Sequence, residues 1–407
     1  MKIKDALAVG GYGGFFWDDQ AAIKKGAKRN GFTYFGKPET PGFYAIRQPS
    51  EAVSIMLLLE DGQVALGDCC SVQYSARSGR EAIFQSSVYQ PFIQEKVLPL
   101  LIGKEITRFR EMAEEFGSVE VEGSQLHPSI RYGVTQALLD AVAQSQKKTM
   151  TEVIAEEYET QIAENPVPVF IQTGDDEYEA VDKCILRRVE VFPHLLINNL
   201  EKFERFPDHI KWTRNRIQEL ADNDYRPYLY YDMYATFGIK YNNAIPEMVK
   251  ALKTWEELAK PYKLIIEEPF DMKSRDGNIE MTHKLIKAKR EAGIDIIISV
   301  DEWCNTLEDI KVFVDNEAAE MVQTKNPDVG GVNSIIESLL YCKKRGVRAY
   351  LGGSSCETDV SARVTWHIAL ATQPSQTLAK PGVGADESYQ AGMNEMNRIL
   401  ALIRNRK

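Results

Sequence analysis

The sequence predicts a parallel (β/α)8 barrel, an α/β fold, preceded by a smaller α+β domain, and three observations carry that expectation. From Val167 onward, short apolar runs alternate with helical stretches, the rhythm of parallel strands joined by crossover helices. Four of those runs close on a chemically distinctive side chain: YLYYD on Asp232, YKLIIE on Glu267, DIIISVD on Asp301 and EMVQTK on Lys325. These positions lie 35, 34 and 24 residues apart, against roughly 30 for one strand-plus-helix unit of a barrel. The region before about residue 160 lacks this rhythm and reads as a sheet followed by helices.

In that first region, SIMLLLE (54–60) and QVALGD (63–68) are split by Asp61-Gly62, a hairpin signal. Helical patterns follow at 80–102 and 105–116. Pro128 then opens SIRYGVTQALLDAVAQS, where proline suits a first helical turn. Glu164-Asn165-Pro166 breaks the pattern, dividing the chain into a domain over 1–160 and a barrel over 161–407. The expected barrel strands are VPVFIQT (167–173), EVFPHLLI (190–197), YLYYD, YKLIIE, DIIISVD, EMVQTK, RAYLGG (348–353) and an eighth near TLAKP (377–381). Helices are expected between them at 177–187, 203–221, 244–259, 278–292, 306–315, 331–345 and 357–372, with a last one from about 388.

A chain of 407 residues has room for a full barrel and a second domain. Its net charge of −10 and lack of a long basic run make nucleic acid and anionic membranes poor partners. No apolar stretch reaches the roughly 20 residues of a membrane span, and MKIKDALAVGGYGGFFWDDQ lacks the apolar core of a signal peptide. The expectation is a cytoplasmic protein. Six cysteines (Cys69, Cys70, Cys184, Cys304, Cys342, Cys356) form neither a CxxC pair nor a dense framework, so reduced thiols are expected and structural zinc is not.

One carboxylate after a strand is commonly a helix cap. Three at a one-unit period would meet round the C-terminal mouth of a barrel, where catalytic groups sit. Such a set suits a hard dication with oxygen ligands. Strand period alone does not choose between Glu267 and Glu268, or between Asp301 and Glu302. Lys325, one unit further on, reads as a base, because a neighbouring dication disfavours its ammonium form. His194, in FPHLLI, lies on an early strand about half a barrel away, and two bases on opposite faces of one substrate suit an elimination or an epimerisation. His127, His209, His283 and His367 read as structural. GGSSCET (352–358) starts a helix whose free backbone N–H groups would bind a carboxylate. Gln172 and Gln323 end strands and would donate to one.

GFFWDDQAAIKKGA, GDCCSVQYSARSGR, FIQTGDD, PHLLINN, YYDMY, DEWCNT, MVQTKNPDVGGVN and LAKPGVGADE together resemble the methylaspartate ammonia-lyase family of the enolase superfamily, nearly end to end. The resemblance implies an N-terminal α+β capping domain on a modified TIM barrel, the enolase-like arrangement. It implies Mg2+ held by Asp232, Glu267 and Asp301, with a monovalent cation such as K+ as a second expected ion. Lys325 would be the base for the (2S,3S)-substrate and His194 the base on the opposite face. Gln73, Gln172, Gln323, Ser354 and Ser355 would line the substrate site, with Phe170, Tyr350 and Leu378 near the substrate methyl. The implied reaction is reversible loss of ammonia from L-threo-3-methylaspartate, an amino dicarboxylate, to give mesaconate, in glutamate degradation by a homodimer.

One departure stands out. Ser354-Ser355 occupies the place where the family pattern has Thr-Cys. Serine keeps the hydroxyl, and a backbone N–H at 355 survives any side-chain change, so carboxylate binding is expected to persist. The 200–225 segment also reads as shorter than in relatives. Other reactions on the same metal set would use a Lys-x-Lys pair on the second barrel strand, where this chain has FPHLL; Lys287-Ala-Lys289 sits in a polar helical pattern. A dicarboxylate-binding protein without turnover would leave Lys325 and His194 with no shared purpose.

Overall fold

Strands β1 (Ile3–Asp18), β2 (Arg47–Leu59) and β3 (Val64–Cys70) form an antiparallel sheet in that order in a computed structural model, which describes residues 1–174, 177–382 and 384–406. Val53, Ile55, Leu57 and Leu59 alternate along β2 onto one buried face. The helix Pro128–Gln146 packs over the sheet. A Cβ on Gly67 would lie 2.1 Å from the Gly133 carbonyl, and one on Gly133 would lie 2.5 Å from the Cys69 nitrogen. Two glycines therefore let helix and strand backbones touch.

The expected hairpin is present, with Gly62 at φ +86° and Gln63 N–H donating to the Asp61 side chain. The sequence reading gave β1 no strand. VGGYGG weakens strand propensity, yet the glycines are needed: a Cβ on Gly13 would meet the Cys356 carbonyl at 2.4 Å, and one on Gly14 the Glu357 carbonyl at 2.5 Å. The end of β1 thus lies against the 352–358 loop of the barrel. The helix expected over 80–102 begins only at Ser86 and continues through a wider turn (Ile93–Val97) and a tighter one (Leu98–Leu100). Arg80 instead lies outside any helix or strand, its side chain paired with barrel carboxylates. The 105–116 helix starts at Phe109, where the Glu157 carboxylate accepts from the Phe109 and Arg110 N–H groups at 2.8 and 2.7 Å. The helix Met150–Glu157 was not anticipated.

The barrel closes through eight parallel strands taken in chain order: β4 (Val169–Phe170), β5 (Val191–Leu196), β6 (Tyr228–Asp232), β7 (Lys263–Glu267), β8 (Ile297–Val300), β9 (Met321–Thr324), β10 (Arg348–Leu351) and β11 (Gln376–Leu378). All eight expected strands are found, several shorter than their apolar runs; only Val169–Phe170 of VPVFIQT joins the ladder. The Asp175-Asp176 end of FIQTGDD and Val383 of LAKPGVGADE lie outside the described residues. Each strand contributes one side chain to an apolar layer inside the barrel: Phe170, Val191, Tyr230, Ile265, Ile297, Met321, Tyr350 and Leu378. This filled layer is the platform under the site. No helix among the described residues is long and apolar enough to cross a membrane.

Candidate active site

Strand period places the polar groups once the inward layer is known. Asp232, Glu267 and Gln323 each stand two residues beyond an inward side chain (Tyr230, Ile265, Met321), so they face inward at the C-terminal mouth. Glu268 faces the other way. Its carboxylate accepts from the N–H groups of Asp301 and Glu302, each at 3.1 Å, and from Asn278 Nδ2 at 2.8 Å. It braces the loop after β8 rather than facing the cavity.

His194 reaches the same mouth by a different route. Pro193 pairs with Tyr230 and Leu195 with Tyr231, so His194 is an extra residue bulged out of β5, at φ +50°. A bulge re-aims one side chain against the strand's alternation. His194 Nε2 lies 3.1 Å from Glu267 Oε2 and 4.0 Å from Asp232 Oδ2, and the three donor atoms lie within 4.8 Å of one another. Gln323 Nε2 donates to Glu267 Oε1 at 2.6 Å, and Tyr350 Oη approaches the same oxygen at 3.5 Å.

Asp301 stands beside this trio with its two oxygens divided. Lys325 Nζ donates to Oδ2 at 2.5 Å, and the Arg80 guanidinium donates to Oδ1 at 2.9 Å. Glu302 accepts from Arg80 through Oε1, while its buried Oε2 has no partner among the described residues.

These groups feel one another strongly. Burial, then the negative charges of Glu267 and Glu302, hold the Asp232 carboxyl well above the usual carboxylate range. Burial and Asp301 push Glu302 up to about 7. Burial opposes ionisation of Asp301, but Lys325 and Arg80 overcome it and keep this carboxyl low. Burial and Arg80 act to depress Lys325; Asp301, Glu302 and Asp328 outweigh them and hold its ammonium form above the ordinary lysine range. Buried oxygen donors clustered within 4.8 Å, with Asp232 raised by its neighbours' negative charge, fit a hard dication. Asp232 and Glu267 could hold it with Asp301, or with the nearer His194.

A cavity of about 480 Å³ opens above these groups. His194, Asp232, Asp301, Lys325, Gln323, Gln172, Ser354, Ser355 and Gln73 all line it. Phe170, Tyr350 and Leu378 do not; they belong to the filled layer beneath, with the Phe170 ring 5.1 Å from the His194 ring and 5.3 Å from that of Tyr350. Gln73 comes from the capping region. Its Nε2 donates to Asp18 Oδ2 at 3.0 Å, and its Oε1 accepts from Ser355 Oγ at 3.3 Å. Asp18 is in turn clamped by Arg47 at 2.7 Å.

The 352–358 loop corrects one expectation. The helix there starts at Asp359, and most loop N–H groups are already used: Ser354 N–H on Glu357 Oε2, Cys356 N–H on Ser354 Oγ, and Glu357 N–H on the Ser354 carbonyl. Among the described residues Ser355 N–H makes no such bond. Gly353, at φ +136°, has its missing Cβ's place 1.9 Å from Glu357 Oε2, so only glycine fits. Ser354 Oγ also accepts the Gln73 N–H at 3.1 Å, joining the capping region to the barrel. Beneath the loop, Lys380 and Glu357 form a fully buried ion pair at 2.7 Å.

Sequence reasoning missed Arg80, the Asp18–Arg47 clamp and the Glu357–Lys380 pair. Arg80 sits in SARSGR, which has no apolar period, and only the chain's long-range path brings it to the barrel.

Two family models match the chain: Methylaspartate ammonia-lyase N-terminus over residues 1–159 and Methylaspartate ammonia-lyase C-terminus over residues 161–405. The chain is 50% identical over 412 residues to Methylaspartate ammonia-lyase 2 of Carboxydothermus hydrogenoformans, covering 100% of this chain and 99% of that one. It superimposes on the crystal structure of β-methylaspartase from Clostridium tetanomorphum, an Mg complex, with a TM-score of 0.93 at 47% identity over 100% of both chains. The Citrobacter amalonaticus methylaspartate ammonia-lyase containing (2S,3S)-3-methylaspartic acid gives a TM-score of 0.97 at 42% identity, over 99% of this chain and 100% of that one. A muconate cycloisomerase variant, at 16% identity and a TM-score of 0.66, shares the fold alone.

Proposed function

The chain belongs to the methylaspartate ammonia-lyase family of carbon–nitrogen lyases, and from that premise we propose that it eliminates ammonia reversibly from (2S,3S)-3-methylaspartate to give mesaconate, with Mg2+ as cofactor. The observation that carries this reading is the juxtaposition of a buried lysine with a set of under-compensated carboxylates round one cavity. Asp232, Glu267 and Asp301 would hold the metal. When bound, Mg2+ supplies a Lewis acid for a substrate carboxylate and cancels negative charge that keeps Lys325 protonated.

The chain's own residues divide the remaining work. Neutral Lys325 Nζ takes the C3 proton; the C3–H electron pair becomes the new C2–C3 π bond, and the C2–N bond breaks to release the amine. Ser355 N–H and the side chains of Gln73, Gln172, Gln323 and Ser354 bind and orient the dicarboxylate, which turns a bimolecular encounter into a positioned one. Phe170, Tyr350 and Leu378, in the filled layer beneath the cavity, would set the shape of the floor below the methyl-bearing carbon. His194 faces the same carbon from the other side and serves substrates of opposite C3 configuration. The same resemblance supports residues 1–160 as the capping domain, residues 161–407 as the catalytic domain, a homodimer in the cytoplasm, a monovalent cation such as K+ as a second ion and a place in glutamate degradation.

The test is the ultraviolet absorbance of the conjugated product formed from (2S,3S)-3-methylaspartate, with and without Mg2+. Metal-dependent growth abolished by chelator is expected; a flat trace with metal present would return the substrate to the wider superfamily. A pH dependence follows from the same groups. Asp232 holds its proton to a higher pH than an ordinary carboxyl, and a metal ligand must be deprotonated. Mg2+ affinity should therefore fall as pH falls, by up to about tenfold per pH unit for each proton displaced. Calorimetric titrations in buffers of different ionisation enthalpy would show proton release; a pH-independent Kd would remove Asp232 from the ligand set.

A further inference from the structure

Arg80 makes three ion pairs with the barrel, and its side chain is 1% exposed. Nε donates to Asp328 Oδ2 at 2.7 Å, and the two terminal nitrogens donate to Glu302 Oε1 and Asp301 Oδ1, each at 2.9 Å. These carboxylates sit on two different loops. Asp301 and Glu302 follow β8, while Asp328 lies three residues after Lys325, in the short helix Asn326–Val329 that follows β9. The arginine itself belongs to the capping region. Its own loop is pinned to the barrel separately, with Asn305 Nδ2 donating to the Ser78 carbonyl at 2.8 Å.

We infer that Arg80 is a positioning residue for the reaction, its rigid fork fixing the metal-ligand loop after β8 and the base loop after β9 relative to each other from the docked capping region. By holding Asp301 Oδ1, it commits the opposite oxygen, Oδ2, to the cavity side, where it meets Lys325. A guanidinium suits this task because it is planar, always charged and presents donors in fixed directions from three nitrogens, whereas an ammonium offers three rotating donors from a single nitrogen. The inference rests on the ammonia-lyase reading of the site.

The experiment compares full-length wild type with Arg80→Gln, Arg80→Lys and Asp328→Asn, by steady-state kinetics on (2S,3S)-3-methylaspartate and by calorimetric Mg2+ titration. Arg80→Gln is expected to lower kcat about 100-fold through misplacement of the base, with KM changed by no more than about twofold. Loss of a partner behind a ligand should also raise the Mg2+ Kd by about tenfold. Arg80→Lys should recover only part of either loss. Asp328→Asn keeps the arginine and nearly the same volume, and should lower kcat about tenfold. Arg80→Gln with lower thermal stability but unchanged kcat and Mg2+ affinity per folded molecule would overturn the inference. If that variant does not fold, unchanged kcat and affinity in Asp328→Asn would overturn it instead. Mg2+ binding by a wild type that does not turn over the substrate would sink the ammonia-lyase reading, and the titrations would still decide the place of Arg80.

Discussion

Replacing Lys325 with alanine is expected to lower kcat for (2S,3S)-3-methylaspartate by about 10²- to 10⁴-fold, the usual contribution of a positioned general base. Mg2+ should still bind. Lys325 Nζ holds Asp301 Oδ2 at 2.5 Å, so its removal would free an oxygen of a proposed metal ligand, and Mg2+ affinity should hold or rise. The lysine is 9% exposed, and truncation leaves a pocket lined by carboxylates rather than a collapsed core. Steady-state kinetics paired with calorimetric Mg2+ titration separate the two roles. Near-normal turnover in this variant would show that another group takes the C3 proton. Parallel loss of turnover and metal binding would make Lys325 a structural counter-ion instead.

The second large effect concerns the carboxylates. Asp232→Asn should abolish Mg2+ binding and Mg2+-dependent turnover while raising the thermal stability of the metal-free protein. Asp232 is buried beside Glu267 and near Glu302, and ionising it in the folded state is unfavourable. An asparagine keeps the shape and removes the charge, at the expense of function. The sign in pH follows from linkage. A carboxyl whose folded pKa is raised costs no stability below its unfolded pKa, and its cost grows as pH rises toward the folded value. The stability gain should accordingly be absent in acid and present at neutral pH, at about 1 °C in Tm per kcal/mol for a chain of this size. Wild type should gain about 2.7 kcal/mol from Mg2+ at a hundred times its Kd, and the variant nothing. Thermal melts with and without Mg2+ across pH provide the measurement, and a variant that Mg2+ still stabilises would remove Asp232 from the proposed ligand set.

The barrel was legible because its signals are local and repeat. Apolar runs recurring at about one barrel unit, four of them ending in a charged residue, state that strands are parallel and that their C-terminal ends share one mouth. The choice of Glu267 over Glu268 was not legible. Both follow the same run, and only knowing that Ile265 points inward makes the first of them inward too. His194 was noticed for its type, but its orientation comes from a bulge against β6 that no single-strand pattern encodes. β1 was hidden because VGGYGG lowers strand propensity, for the sake of close contact with the barrel's 352–358 loop.

By itself, then, the amino-acid order determined the strand-and-helix rhythm, the four residues round the mouth and the family pattern that names the chemistry. Those depend on neighbours in the chain and on side-chain type. Tertiary structure alone decided what depends on distant segments meeting. Arg80 joins Asp301, Glu302 and Asp328 from more than two hundred residues away in sequence. Gln73 is held between Asp18 and Ser355, and Glu357 is buried against Lys380 and Tyr132. The physical reason is that a buried charge is tolerated only where partners converge on it, and convergence across the fold leaves no periodic trace in the sequence.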